Sequence, residues 1–179
     1  MALRALLLAS ALAVALAACG GGEREGIPNW LNQTFSDGTV TIRYPEGWTT
    51  DAQSRFGSSV GDSESATSAF VAVQYLPSRD YTSGAEFGEL ARELLKPPAG
   101  EGTRLLRTQA ARIGGRPGFE AAVMYSTIPG TPLGPTLRVF GIELESGRLA
   151  VLIFGAEDPF AHRTQLAWIK RSITWNEAA

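Results

Sequence analysis

Between residues 103 and 155 the chain carries two glycine-punctuated pairs of alternating apolar segments, which limit its fold more than any other feature. Residues 103–113 and 118–126 flank Gly114-Gly115-Arg116-Pro117, and residues 137–145 and 148–155 flank Ser146-Gly147. Glycine reaches the positive φ of a tight hairpin without a Cβ penalty, so both gaps predict antiparallel connections. Phe119, Ala121, Val123 and Tyr125 share one face of their segment, whereas Val139 opposes Phe140, Ile142 and Leu144 in the next. Leu149 to Phe154 is apolar without a break, the pattern of a central strand covered on both sides. An antiparallel sheet of this kind must bury its apolar faces against further elements.

Two segments meet that need. Ser83-Gly84-Ala85-Glu86 has the capping-box spacing, and Phe87, Leu90, Ala91, Leu94 and Leu95 then repeat at helical intervals. Pro97-Pro98 ends that helix, because neither proline can donate the intrahelical bond. Asp158-Pro159 reads as an N-cap followed by proline at the first helical position, with Leu166, Ile169 and Ile173 on the apolar face and Trp168 beside it. Upstream, Ser36-Asp37-Gly38 is a turn before Val40, Ile42 and Tyr44, which alternate with polar neighbours. Residues 49–68, rich in Ser, Thr, Gly and Asp around an isolated Phe56, predict a loop or a weak irregular hairpin. Ala69 to Leu76 predicts a buried strand. The fold class is α+β, a mainly antiparallel central sheet with helical cover.

The first residues describe an address. Arg4 and the amino terminus form a short positive region, Ala5 to Ala15 an apolar one, and Leu16-Ala17-Ala18-Cys19 follows. The apolar run is too short to span a bilayer as a mature helix and reads as a secretory signal. Leu16-Ala17-Ala18-Cys19 resembles the bacterial lipobox, which implies export, removal of residues 1–18 and a lipid anchor on Cys19. The other reading is an ordinary secretory leader followed by a free cysteine. Gly20 rather than Asp follows Cys19, so the familiar inner-membrane retention signal is absent and the membrane leaflet stays open. Gly20-Gly21-Gly22 and the charges at 23–25 predict a flexible spacer, giving residues 19–33 as lipidated cysteine and tether and 34–179 as one domain.

Without residues 1–18, 161 of the 179 residues remain, enough to bury a core with no disulfide or structural metal. Cys19 is the only cysteine, so once acylated it leaves no thiol for a disulfide or covalent catalysis. The remainder carries 15 Lys and Arg against 18 Asp and Glu, a balance that argues against a nucleic-acid partner. Arg104, Arg107, Arg112 and Arg116 lie close in sequence, but alternation in a strand would spread them over both faces, and a solvated sheet edge accounts for them.

With these motifs in order, the chain resembles the Mog1/PsbP-like superfamily from about Phe35 to Trp175. The stretch from Phe35 through Val40-Thr41-Ile42-Arg43-Tyr44-Pro45-Glu46-Gly47-Trp48 looks like the family's opening strand and Tyr-Pro-x-x-Trp turn. Ile113-Gly114-Gly115-Arg116-Pro117-Gly118 resembles the hairpin before its central strand, and Ser172-Ile173-Thr174-Trp175 resembles its ending. The resemblance implies an α/β/α sandwich. Its members include an extrinsic photosystem subunit, a binder of a nuclear transport GTPase and many envelope proteins, so it implies docking to macromolecules without a shared catalytic motif.

Candidate chemistry is sparse. His162 is the only histidine, four residues after Asp158, and reads as a surface residue near a capping aspartate. On that reading His162→Ala leaves function intact and changes stability by within about 0.5 kcal/mol. Asp51, Asp62 and Glu64 lack an EF-hand spacing, and Glu143 and Glu145 share one strand face, as solvated carboxylates do. The candidate docking surface is the Pro129–Pro135 connection, with Pro129, Pro132, Leu133 and Pro135, together with Trp30 and Trp48. Three prolines pre-set that backbone, which lowers the entropy lost on recognition, although a rigid connection alone would also explain them. Tyr44 could join the two tryptophans, or all three could pack the entry of the tether against the domain. The expected function is a membrane-tethered, noncatalytic binding or assembly module of the bacterial envelope, with a protein partner and no metal or cofactor. The alternative is a hydrolase or metal-dependent enzyme built from dispersed carboxylates and His162.

Overall fold

The structure, a computed structural model, describes residues 27–54, 56–62, 68–77, 83–96, 102–125 and 135–176. Strand β1 (Gln33–Ser36) turns at Gly38 into β2 (Val40–Tyr44), where Val40, Ile42 and Tyr44 point into the core. Asp37 closes that turn by accepting from the amides of Thr39 and Val40. The short β10 (Thr174–Trp175) pairs with the other edge of β2, completing a three-stranded antiparallel sheet ordered β1-β2-β10.

The main sheet has seven strands, ordered β3-β4-β5-β9-β8-β7-β6, with every neighbouring pair antiparallel. The polar 49–68 segment supplies an irregular hairpin, β3 (Thr49–Ser54) and β4 (Gly57–Gly61), with a register shift between Asp51 and Ser54. Strand β5 (Ala69–Leu76) pairs along its length with β9 (Leu149–Ala156), every residue of which is buried. Strands β6 (Thr103–Ile113) and β7 (Arg116–Tyr125) meet at Gly114-Gly115, both at positive φ, and β8 (Thr136–Glu143) lies between β7 and β9. Trp175 braces this hairpin by donating from Nε1 to the Ile113 carbonyl at 2.9 Å.

Helix α1 (Gly84–Leu94) forms as the capping signal predicts: the Ser83 hydroxyl accepts from the Glu86 amide. Its Phe87 and Ala91 pack with Ala121, Val123, Val139, Val151 and Ile153 on one face of the sheet. Phe87 fits because Gly141 lacks a side chain, since a Cβ there would lie 2.2 Å from the ring. Helix α2 (Arg163–Ser172) and the three-stranded sheet cover the opposite face, burying Val71, Phe140, Ile142, Leu152, Ile169 and Ile173 together. Ser172 joins this helix to β2: its hydroxyl accepts from the Arg43 amide and donates to the Ile169 carbonyl. Tyr75 links the two sheets through a 2.6 Å hydrogen bond from its hydroxyl to Asp37.

One expectation changes. Asp158 does not cap α2: it accepts from the Phe160 and Ala161 amides and organises a turn, and the helix begins only at Arg163. Proline fixes its own φ but does not commit the next residues to a helix. Ahead of β1, Leu31 is fully buried and Ile27 packs against the same core.

Candidate docking surface

The described members of the sequence-derived surface differ in burial. Trp48 and Tyr44 are buried core residues, so their part is packing. Trp30 remains 41% exposed and flanks a shallow depression with Ala161, His162, Thr164 and Gln165. Pro135 is half-buried immediately before β8, whereas Pro129, Pro132 and Leu133 lie outside the described residues, as do Cys19 and Glu64. His162 is not a surface residue: it is only 8% exposed, with Nδ1 2.8 Å from Gln165 Oε1. It occupies the position immediately before α2. Glu145 meets Arg116 at 3.1 Å, and Asp51 accepts from the Gln53 amide. Among the described residues, no group of three His, Cys, Asp or Glu side chains could hold a metal ion.

A different surface emerges along α2. The register of the main sheet puts Gln109, Glu120 and Phe140 side by side on successive strands, with Arg138 on the same face of β8 as Phe140. Glu120 is 3% exposed, and the charges above it compensate its burial. Arg138 donates from Nε to Glu120 Oε1 at 2.7 Å and also contacts it through Nη2. Gln109 donates to Oε2 at 3.1 Å, and Arg107 approaches to 3.8 Å. Lys170, on α2, places Nζ 4.4 Å from the Phe140 ring centroid, a cation–π distance. Burial holds the Lys170 ammonium below its ordinary pKa, with nearby Arg138 adding to that effect and Glu120 opposing it.

Beside this cluster a trough of about 1620 Å³ follows α2 from the β6–β7 hairpin to the turn at Phe160. Ile27, Leu166 and Trp168 contribute accessible apolar surface above the buried Phe140 and Phe154, while Arg112, Arg138, Arg163, Lys170 and Arg171 bring positive charge. Arg171 lies over the Trp168 ring at 4.6 Å, and Phe160 stands 86% exposed at the rim. Ile27 also lines the trough, so the amino-terminal segment enters the fold beside it. The basic residues nearest the end of α2 also complement the negative end of the helix dipole.

Sequence reading missed this assembly because its members are far apart in the chain. One signal was available: Glu120 is the single acid in the otherwise apolar Phe119–Tyr125 run.

No family model and no curated relative matches the chain. Solved structures do. PsbP (CyanoP) of the cyanobacterium Synechocystis aligns with a TM-score of 0.60 at 13% identity, covering 88% of this chain and 99% of its own. The Ran-binding protein Mog1p of Saccharomyces cerevisiae aligns with a TM-score of 0.54 at 14% identity, covering 80% of this chain and 95% of its own. At such identities the likeness establishes the fold.

Proposed function

This chain has the Mog1/PsbP-like fold, and from that premise we propose a noncatalytic binding or assembly module, tethered to the bacterial envelope through lipid on Cys19 and docking to another protein. The observation that carries this reading is the trough along α2, where basic side chains rim an apolar surface. Such a surface suits recognition of a partner: apolar contacts supply affinity while charges steer approach and fix register. The fold is compatible with such work, since one solved neighbour is a Ran-binding protein. The leader sequence supports the tether, and entry of the chain beside the trough would keep that surface near the membrane.

Mass spectrometry of the mature amino terminus tests the anchor, with a diacylglycerol thioether on Cys19 expected and an internal, unlipidated Cys19 contradicting it. Crosslinking of the full chain in its own membranes tests the docking role. A reproducible protein adduct is expected. Failure to obtain any adduct, together with turnover by the isolated protein, would overturn the binding role in favour of an enzyme.

A further inference from the structure

We propose that the trough along α2 receives an extended acidic segment of the partner protein, with an aromatic side chain of that segment seated against Phe160. This inference rests on the docking role above and specifies its surface and ligand chemistry.

Charge makes the first argument. Five of the chain's 16 Lys and Arg residues line the trough, yet the described lining contains no Asp or Glu. Glu120 lies beneath Arg138, and Arg112, Arg163, Lys170 and Arg171 line the trough from the hairpin to the opening of the helix. A row of cations matches carboxylates spaced along a chain better than a single compact anion. Arg163 and Arg171 are exposed, and Arg guanidinium groups offer forked donors to carboxylates.

Size and shape make the second. The trough, about 1620 Å³, exceeds the roughly 300–1,000 Å³ of ordinary small-molecule sites. It follows the helix rather than closing into a chamber, as an extended occupant requires. Phe160, exposed at one end, and Leu166 and Trp168 on α2 provide the apolar contact that a row of charges lacks. Aromatic anchors carry a large share of interface energy in such settings.

A nucleic acid or an anionic bilayer would also meet positive charge here. Nucleic-acid binding draws on positive charge spread over a broad face, whereas here the cations are confined to one trough, and a concave trough fits a projecting segment better than a broad membrane face. An acidic peptide satisfies both the local charge and the shape.

The test is a fluorescence-anisotropy titration of the full chain with a short labelled peptide of Glu and Ser around one central Phe. Saturable binding is expected, weakened about tenfold or more in the Arg163→Glu/Arg171→Glu variant and about threefold in Phe160→Ala. Leu106→Ser, at an exposed β6 position outside the trough, should bind as the unaltered protein does. Absence of binding, equal binding by the charge-reversed variant with an unchanged melting profile, or equal affinity for a Lys-for-Glu peptide would overturn the proposal. Should the charge-reversed variant not fold, the Phe160→Ala and Lys-peptide comparisons decide the matter. Tighter binding of phosphatidylglycerol vesicles or single-stranded DNA, with the same dependence on Arg163 and Arg171, would also overturn it by assigning the trough to another polyanion. Crosslinking in membranes separates the two levels: one protein adduct formed equally by unaltered and charge-reversed chains defeats the trough but not docking, whereas no adduct from either, together with turnover by the isolated protein, defeats docking itself.

Discussion

Helices α1 and α2 cover opposite faces of one sheet, but they finish different tasks. On the α1 side, Phe87 and Ala91 are fully buried and close against β7, β8 and β9 with Gly141 as the matching recess. On the α2 side, Ile169 and Ile173 reach the core while Arg163, Lys170 and Arg171 line an open trough. One helix seals its layer; the other is shared between core and surface. The contrast teaches that an amphipathic helix leaves an open trough beside it when its apolar stripe covers only part of the sheet beneath it.

Breaking the sealed side should have the largest effect. Phe87→Ala removes a fully buried ring and should cost about 3–5 kcal/mol in chemical denaturation, while leaving the trough's charges in place. The next effect belongs to the open side. Arg138→Ala deprives buried Glu120 of its main partner, and the loss should fall near the lower end of about 3–5 kcal/mol because Gln109 and Arg107 remain. Equal sensitivity to Phe87→Ala and to a rim change such as Arg163→Ala would erase the distinction between the two sides.

His162→Ala sharpens the comparison at the start of α2. The buried imidazole and its contact with Gln165 raise the expected cost above that of a surface substitution, to about 1 kcal/mol, without loss of partner binding. Thermal denaturation and crosslinking of the same variant check the two halves of that expectation.

The smallest effect is an alkaline one at the link between the sheets. Burial, followed by the hydrogen bond to Asp37, holds the Tyr75 hydroxyl well above its ordinary pKa of 10.0. The folded state therefore retains a proton that the unfolded state loses, so this contribution is intact below about pH 10 and declines as pH rises above it. Tyr75→Phe should flatten that decline in denaturation curves recorded across the alkaline range. An unchanged slope would remove Tyr75 as its source.

How much was legible follows from where each signal resides. The capping box at Ser83 and the alternation of Val40, Ile42 and Tyr44 are local, and the structure reproduces both. The continuous apolar run of β9 also predicted its central place, since a strand covered on both faces has no polar side to show. Asp158 misled because the same side-chain bonds to following amides serve an N-cap and an isolated turn. His162, expected on the surface, is buried at the position before α2, a matter of tertiary packing that its local sequence does not record. Trp48 offered an aromatic of either role, and the core took it. The trough was illegible because sheet order and helix crossing, rather than sequence spacing, bring Arg112, Arg138 and Arg163 together.

Photo-crosslinking in native membranes tests the central claim most directly. A benzoylphenylalanine placed at residue 160 in one chain and at residue 106 in another samples the trough rim and the β6 edge. One defined protein adduct from position 160, absent from position 106 and lost when Arg163 and Arg171 are changed to Glu, is the expected result. Adducts only to lipid at position 160, or the same protein captured from 106 but not from 160, would contradict a docking surface along α2.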